Sequence, residues 1–327
     1  MLHSSQNGEE VDPNSHIFVT MGDPHGVGPE VLVRLLFSLD SEQLARIRVV
    51  GDPDYLEKLS RELSLGGLPP VHFSVPGLFS YPPRWGVVSR SAGRFAVACL
   101  EMALQEMKDT GAALLVTAPI HKEAARMEGF EFPGQTEYIA SRFPGHDPAM
   151  AFLSDPLKVV LVTVHLPLRD VADKLSAGEI ERCGGLLLET LRKLGVKSPR
   201  IAVAGLNPHA SESGQFGDEE EAVIEPAVRQ LCRGVKSPFF AGPFSPDTIF
   251  YRAAQGEFDG IVSLYHDQAL IPLKLLAFRS AANVTLGLPV VRTSPCHGTA
   301  FDIAGRGCAD PGSMLSAFQW GIRLAGV

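Results

Sequence analysis

The side chains best equipped for chemistry gather between Gly260 and Gly307, in the stretch GIVSLYHDQALIPLKLLAFRSAANVTLGLPVVRTSPCHGTAFDIAGRG. The apolar run Ile261–Leu264 reads as a strand buried on both faces. Tyr265, His266 and Asp267 follow it directly, three groups that can bind a metal, accept a proton or hydrogen-bond. Lys274, Asn283 and Arg292 come next, two cations and an amide of the kind an anionic substrate needs. His297, Gly298, Thr299 and Ala300, with Asp302, Gly305 and Gly307, form a loop of small residues to which a ligand can approach closely. A long loop of that composition tends to be functional.

Two more histidines occupy the same kind of place. Val159–Val164 reads as a strand ending at His165, and Ile201–Ala204 as a strand leading to Asn207, Pro208 and His209. In an open parallel sheet, ligands bind at the carboxyl ends of the strands. Three neutral imidazoles there can hold Zn²⁺ and leave a position open for substrate oxygens. The spacings are too long for a local metal motif, so the shared position relative to a strand carries this reading. Taken singly, each histidine reads first as a hydrogen-bonding residue. Asp247, in the stiff turn Gly242–Thr248, reads as a general base, as a group orienting a histidine, or as the N-cap of a helix at Thr248.

The elements that must position these groups alternate between apolar runs and helical patterns, which implies an α/β protein with a largely parallel sheet. Strands are expected at 16–21, 47–50, 71–75 and 113–116, and helices at 31–39, 95–108, 180–194 and 219–231. The glycine-rich turn GDPHGVGPE after the first strand has its glycines spaced GxxxGxG, which does not match GxGxxG. Asp52 is a loose candidate for the acidic residue of a dinucleotide site, and no Gly-Lys-Ser/Thr follows the turn. The turn reads as a tight strand-to-helix connection that can shape a cleft.

At 327 residues the chain is long enough for about two domains, with 45% hydrophobic and 20% charged residues. A net charge of −8 without a basic block argues against a nucleic-acid surface. Five cysteines without CxxC spacing fit a reducing cytoplasm. Residues 1–15 read as a polar, disordered leader, and no apolar stretch is long enough to span a membrane.

In order, MGDPHGVGPE, TAPIHK, PGQTEYIA, VH, NPHASESG, GPFSPDT, YHDQALIPLK, NVTLGLPVVRTS and HGTAFDIAGRG resemble the 4-hydroxythreonine-4-phosphate dehydrogenase family of pyridoxal phosphate biosynthesis. The resemblance runs from near residue 20 to residue 307. It implies two α/β/α domains with a deep interdomain cleft, as in isocitrate and isopropylmalate dehydrogenases, and a homodimer with its active site at the subunit interface. The first domain would be discontinuous, 16–140 plus 282–327, on the nucleotide side. The second, 141–281, would carry the metal ligands and dimer contacts. The resemblance further implies a divalent metal on His165, His209 and His266, drawn from both subunits, with zinc first and magnesium or cobalt as alternatives. Substrate contacts would fall on Gln135, Thr136, Lys274, Asn283 and Arg292, and NAD or NADP on His297, Gly298, Thr299, Ala300, Asp302 and Gly305.

Two positions depart from the family pattern. Gln135 stands where His is common before the Thr of PGxTE, and Cys296 where Asp is usual before HGTA. The implied reaction oxidises the secondary alcohol of 4-phosphohydroxy-L-threonine with NAD⁺ and releases CO₂ from the resulting β-keto acid. Asp247, Asp267 and Lys274 are the candidate proton acceptors. Phosphothreonate or phosphoerythronate dehydrogenases are the nearest alternative. A phosphate acyltransferase and a non-catalytic phosphometabolite sensor are rivals from other classes.

Overall fold

A computed structural model of the chain describes residues 17–233 and 239–327. The expected leader, 1–15, lies outside the described residues, as does the first residue of the expected first strand. Eleven strands form one sheet among the described residues. They are β1 (Ile17–Thr20), β2 (Ile47–Val50), β3 (His72–Ser74), β4 (Leu114–Thr117), β5 (Ala149–Leu153), β6 (Lys158–Leu161), β7 (Ile201–Ala204), β8 (Phe240–Phe244), β9 (Gly260–Ser263), β10 (Ala282–Leu286) and β11 (Val291–Pro295).

The order across the sheet is β3-β2-β1-β4-β11-β10-β5-β6-β9-β7-β8. Both flanks are parallel, while the middle pairings β11–β10, β10–β5 and β5–β6 are antiparallel. The parallel reading thus holds for the flanks and fails at the centre. A short β10–β11 hairpin returns the chain to β4, and such a tight connection permits only antiparallel pairing. Strands β1, β2, β4, β7 and β9 are buried along their whole length. Helices cover both faces, which is why these strands read as continuous apolar runs.

Several helices escaped the periodicity reading. Pro53–Glu62 starts behind Asp52, whose Oδ1 accepts from the Tyr55 amide at 3.1 Å and whose Oδ2 accepts from the Phe79 amide at 2.7 Å. Asp52 is therefore a helix cap and loop anchor, and that use occupies both of its oxygens. His266–Ala277 is a helix despite Pro272, and it opens directly on the candidate ligand His266. The expected helix at 219–231 begins with a wider turn, Glu220–Ile224, before Glu225–Leu231. Pro226 has no amide hydrogen for an ordinary helical bond, and the wide turn accommodates it. Among the described residues, no helix is long and apolar enough to cross a membrane.

The carboxyl ends of β6, β7 and β9 are tied together by two buried side chains, Gln268 and Thr163. The Gln268 carboxamide oxygen accepts from Ser263 Oγ at 2.8 Å and from the Leu264 amide at 2.7 Å. Its Nε2 donates to the Gly205 carbonyl at 2.8 Å. Thr163 Oγ1 and amide both donate to the Leu264 carbonyl, at 2.7 and 3.1 Å. These bonds set the spacing of the three segments that lead to His165, His209 and His266. Gln268→Ala orphans a buried amide, a carbonyl and a hydroxyl together, so we expect a stability loss on the order of 3 kcal/mol. A fall in the urea midpoint with an unchanged slope is the measurement.

Candidate active site

A cavity of about 330 Å³ opens where the antiparallel centre of the sheet meets the carboxyl ends of β4 and β6. Asn283 on β10 and Arg292 and Ser294 on β11 reach it from the sheet. Thr117 reaches it from the end of β4, Lys122 from the segment after β4, and Gln135, Thr136 and Glu137 from the helix Gln135–Ser141. His165 and His266 close one side, and Lys274, Cys296, His297 and Gly298 another.

Arg292 lies at its floor, only 3% exposed. Its guanidinium donates to Thr117 Oγ1 at 2.8 Å, Thr136 Oγ1 at 3.2 Å and Thr285 Oγ1 at 3.4 Å. Nε is buried without a partner, and no carboxylate forms an ion pair with the group among the described residues. Burial pulls the Arg292 pKa down to about 10, against a smaller upward pull from the Glu137 charge. Three neutral hydroxyls orient the cation without neutralising it, which leaves it poised for an anion.

The two imidazoles sit together, with ring centroids 6.0 Å apart at an angle of 41°. His266 Nδ1 bonds Asp267 Oδ1 at 2.7 Å, which orients the ring and leaves Nε2 for a ligand. Partial desolvation and the Lys122 charge push His165 below the usual imidazole range, favouring the neutral, ligating form.

Other expected residues lie elsewhere. His209 stands on an exposed turn, and residues 209–213 all have positive φ, from 45° to 64°. Left-handed backbone costs non-glycine residues roughly 1 kcal/mol each. Glu220 anchors the base of this turn, accepting from the Leu206 and Asn207 amides at 2.8 Å each. Asp247 is exposed and accepts from Ser245 Oγ at 2.6 Å. It is not the N-cap considered from the sequence, because the helix begins at Pro246 and Ser245 occupies the cap position. Asp247 and Asp267 line a neighbouring apolar groove together with Tyr251, Ile271 and Leu275.

Thr299, Ala300, Asp302 and Gly305 lie beyond the cavity on the loop that continues from Gly298. The Val27 amide donates to the Thr299 carbonyl at 2.9 Å, and a Cβ at Gly26 would come within 2.8 Å of the same oxygen. The glycine-rich turn after β1 therefore braces this loop from behind. Lys122 and Glu137 belong to TAPIHK and PGQTEYIA, yet no spacing rule singled them out, because their joint position depends on how two distant segments pack.

Residues 39–321 match the model of the family described as pyridoxal phosphate biosynthetic protein PdxA. The chain belongs to the PdxA family. It is 40% identical to a 4-hydroxythreonine-4-phosphate dehydrogenase of Desulfosudis oleivorans, over 96% of this chain and 97% of that relative. It is 38% identical to a D-threonate 4-phosphate dehydrogenase of Salmonella typhimurium, over 94% of this chain and 98% of that one. A crystal structure of the Klebsiella pneumoniae 4-hydroxythreonine-4-phosphate dehydrogenase superposes with a TM-score of 0.81 at 38% identity, covering 95% of this chain and 98% of that one. This PdxA-family chain is an oxidoreductase, and a dehydrogenase of the family works with a nicotinamide cofactor and a divalent metal.

The donor set of the cavity fits such a metal in part. His165 and His266 are two imidazoles with free nitrogens, and Asp267 supports one of them. Among the described residues, no group of three metal-binding side chains gathers in one place, because His209 stands apart on its left-handed turn.

The isolated Arg292 charge makes a prediction in which stability and function oppose each other. Replacing it with Met removes an unpaired buried cation, so Arg292→Met should raise stability by about 1 kcal/mol. Inorganic phosphate should raise the melting temperature of the wild type and lose that effect in the variant. Thermal melts with and without phosphate read both outcomes.

Proposed function

We propose that this chain oxidises 4-phosphohydroxy-L-threonine with NAD⁺ and that the product loses CO₂. The single observation that carries the reading is Arg292, a buried cation without a carboxylate partner, in one cavity with an imidazole pair. A buried cation and an imidazole pair in one cavity of about 330 Å³ suit a short chain with a phosphate at one end and a hydroxyl along it.

Arg292, Thr136 and Asn283 hold the phosphate, the guanidinium giving a charged grip from a dry floor. Gln135 lines the same wall. Lys274 is the one of the three sequence-derived proton acceptors that lines the cavity, and when unprotonated it takes the hydroxyl proton. Asp267 holds the His266 ring in place through the 2.7 Å bond. His165 and His266, joined by His209 from a second subunit, hold the divalent ion, with zinc the best match to imidazole donors. When bound, the ion supplies Lewis-acid polarisation of a substrate oxygen. The loop from His297 through Gly305 receives the nicotinamide nucleotide, which supplies the hydride acceptor. The chain's part is to place the alcohol carbon against it and to exclude water.

A domain boundary at the antiparallel centre, with 282–327 returning to the first domain, is supported by the pairing of β11 with β4. A homodimer is supported by the apolar face beside His266. Leu168, Tyr251, Ile271, Leu275 and Leu276 expose between 53% and 81% of their surface there. Leu275→Glu should yield a monomer by light scattering and cut activity at least tenfold, since it separates His209 from the other two histidines.

The second reading is 4-phospho-D-threonate oxidation, which the Salmonella typhimurium relative favours by its name. NADH formation, followed by absorbance with each substrate and added Zn²⁺ or Mg²⁺, separates the two. Turnover of 4-phosphohydroxy-L-threonine, lost in His165→Ala, is the expected result. Turnover of the threonate alone would replace the first reading by the second, and turnover of neither would overturn both.

A further inference from the structure

Between β11 and the helix Gly312–Ala325 the chain runs through residues 296–311 without strand or helix. Small residues open this loop, and such a loop binds a ligand more tightly when its shape is fixed beforehand. Its two ends differ. A Cβ added at Gly298 would meet nothing within 4 Å, so that end, beside the cavity, stands open to a nucleotide. A Cβ added at Gly305 would collide with the Trp85 indole, so the far end is closed by that ring.

Trp85 belongs to a strap that the glycine-rich turn after β1 holds in place. His25, only 3% exposed, accepts from the Gly86 amide through its carbonyl at 2.9 Å and donates from Nδ1 to the Val87 carbonyl at 2.8 Å. A carbonyl can only accept, so the imidazole carries its proton on Nδ1. Asp23 Oδ1 accepts from the His25 amide at 2.8 Å and anchors the link in turn. Tyr55 packs edge-on to Trp85, 6.4 Å between ring centroids, and donates its hydroxyl to the Pro24 carbonyl at 2.6 Å. A Cβ at Gly86 would come within 2.6 Å of the Phe301 carbonyl oxygen, so the strap meets the loop at Phe301 as well as at Gly305.

Other segments brace the same loop. The Val27 amide bonds the Thr299 carbonyl, the His121 ring stacks on Phe301 at 4.5 Å, and Arg34 donates to the Gly307 carbonyl at 2.7 Å. None of His25, Val27, Arg34, Trp85 and His121 lines the cavity. They act on the loop and not on the substrate.

We infer that His25 and Trp85 are positioning residues for the nicotinamide nucleotide: His25 fixes the 85–87 strap, and Trp85 fills the space at Gly305, so that the open Gly298 end keeps its binding shape. The inference rests on the dehydrogenase reading above and adds to it a part that never touches substrate. Loss of either contact lets the loop sample other shapes, and the nucleotide must then order it on binding. The loss falls on cofactor affinity and leaves the substrate's own contacts in place.

The test is NADH binding to the zinc-loaded enzyme, followed by the fluorescence of the reduced nicotinamide, with KM for NAD⁺ and for the phosphorylated substrate measured beside it. Trp85→Ala should raise the NADH Kd and the KM for NAD⁺ about tenfold and leave kcat and the substrate KM within about twofold. Trp85→Phe, which keeps a ring against Gly305, should recover most of that loss. His25→Leu should raise the same two constants about fivefold, and His25→Asn, whose amide can replace the Nδ1 donor, should recover part. The His25 pair carries the test if Trp85→Ala does not fold. An NADH Kd unchanged within about twofold in the folded variants, whatever the change in kcat, would overturn the inference and leave the dehydrogenase reading standing. A wild type that binds no NADH would remove the nucleotide reading of the loop, and the inference with it.

Discussion

The unneutralised guanidinium of Arg292 is the constraint around which the rest of the structure is arranged. A cation that is 3% exposed is costly, and three threonine hydroxyls from separate segments accept from its two terminal nitrogens without cancelling the charge, while Nε has no partner. Thr117 ends β4, Thr285 lies on β10, and Thr136 comes from the helix Gln135–Ser141. These partners meet only because β11 lies between β4 and β10 at the centre of the sheet. The antiparallel middle therefore does more than join two parallel flanks. It places a nearly buried cation on the floor of the cavity.

On the other side of the cavity the problem is geometric rather than electrostatic. Imidazoles at strand ends are useful only if those ends keep a fixed spacing, and Gln268 and Thr163 supply it through buried bonds across β6, β7 and β9. The segment after β7 behaves differently. Glu220 clamps its base, while His209 rides on a run of left-handed residues at the surface. Strain of this kind persists only where surrounding contacts over-determine it, and among the described residues His209 does not gather with the other two imidazoles. The apolar helix face carrying Ile271 and Leu275 lies beside His266, so the incomplete ligand set and the unburied surface occur together.

Some of this was legible before any fold was known. The buried strands announced themselves as apolar runs, and Ile47–Val50 and Ile201–Ala204 coincide with β2 and β7. Gln135, Thr136, His165, His266, Lys274, Asn283 and Arg292 were singled out and do line one cavity. The helix Pro53–Glu62 was missed although Asp52 and Pro53 together form a helix-start signal. The helix His266–Ala277 was hidden because its apolar residues surround Pro272 and expose Ile271, Leu275 and Leu276, which blurs the one-sided stripe that periodicity detects.

What the sequence determined by itself was the set of local signals: strand runs, caps, the glycines of tight turns, and the motif order that marks the family. Each depends on neighbours a few residues apart, so it survives in the linear record. Tertiary structure alone decided which of those groups share a space. Glu137 became the cavity's carboxylate, while Asp247 and Asp267 turned to the neighbouring groove. Among the described residues Arg292 has no carboxylate in an ion pair with it, and His209 does not gather with His165 and His266. Those outcomes depend on dielectric and distance across segments more than 100 residues apart, quantities that no local pattern encodes.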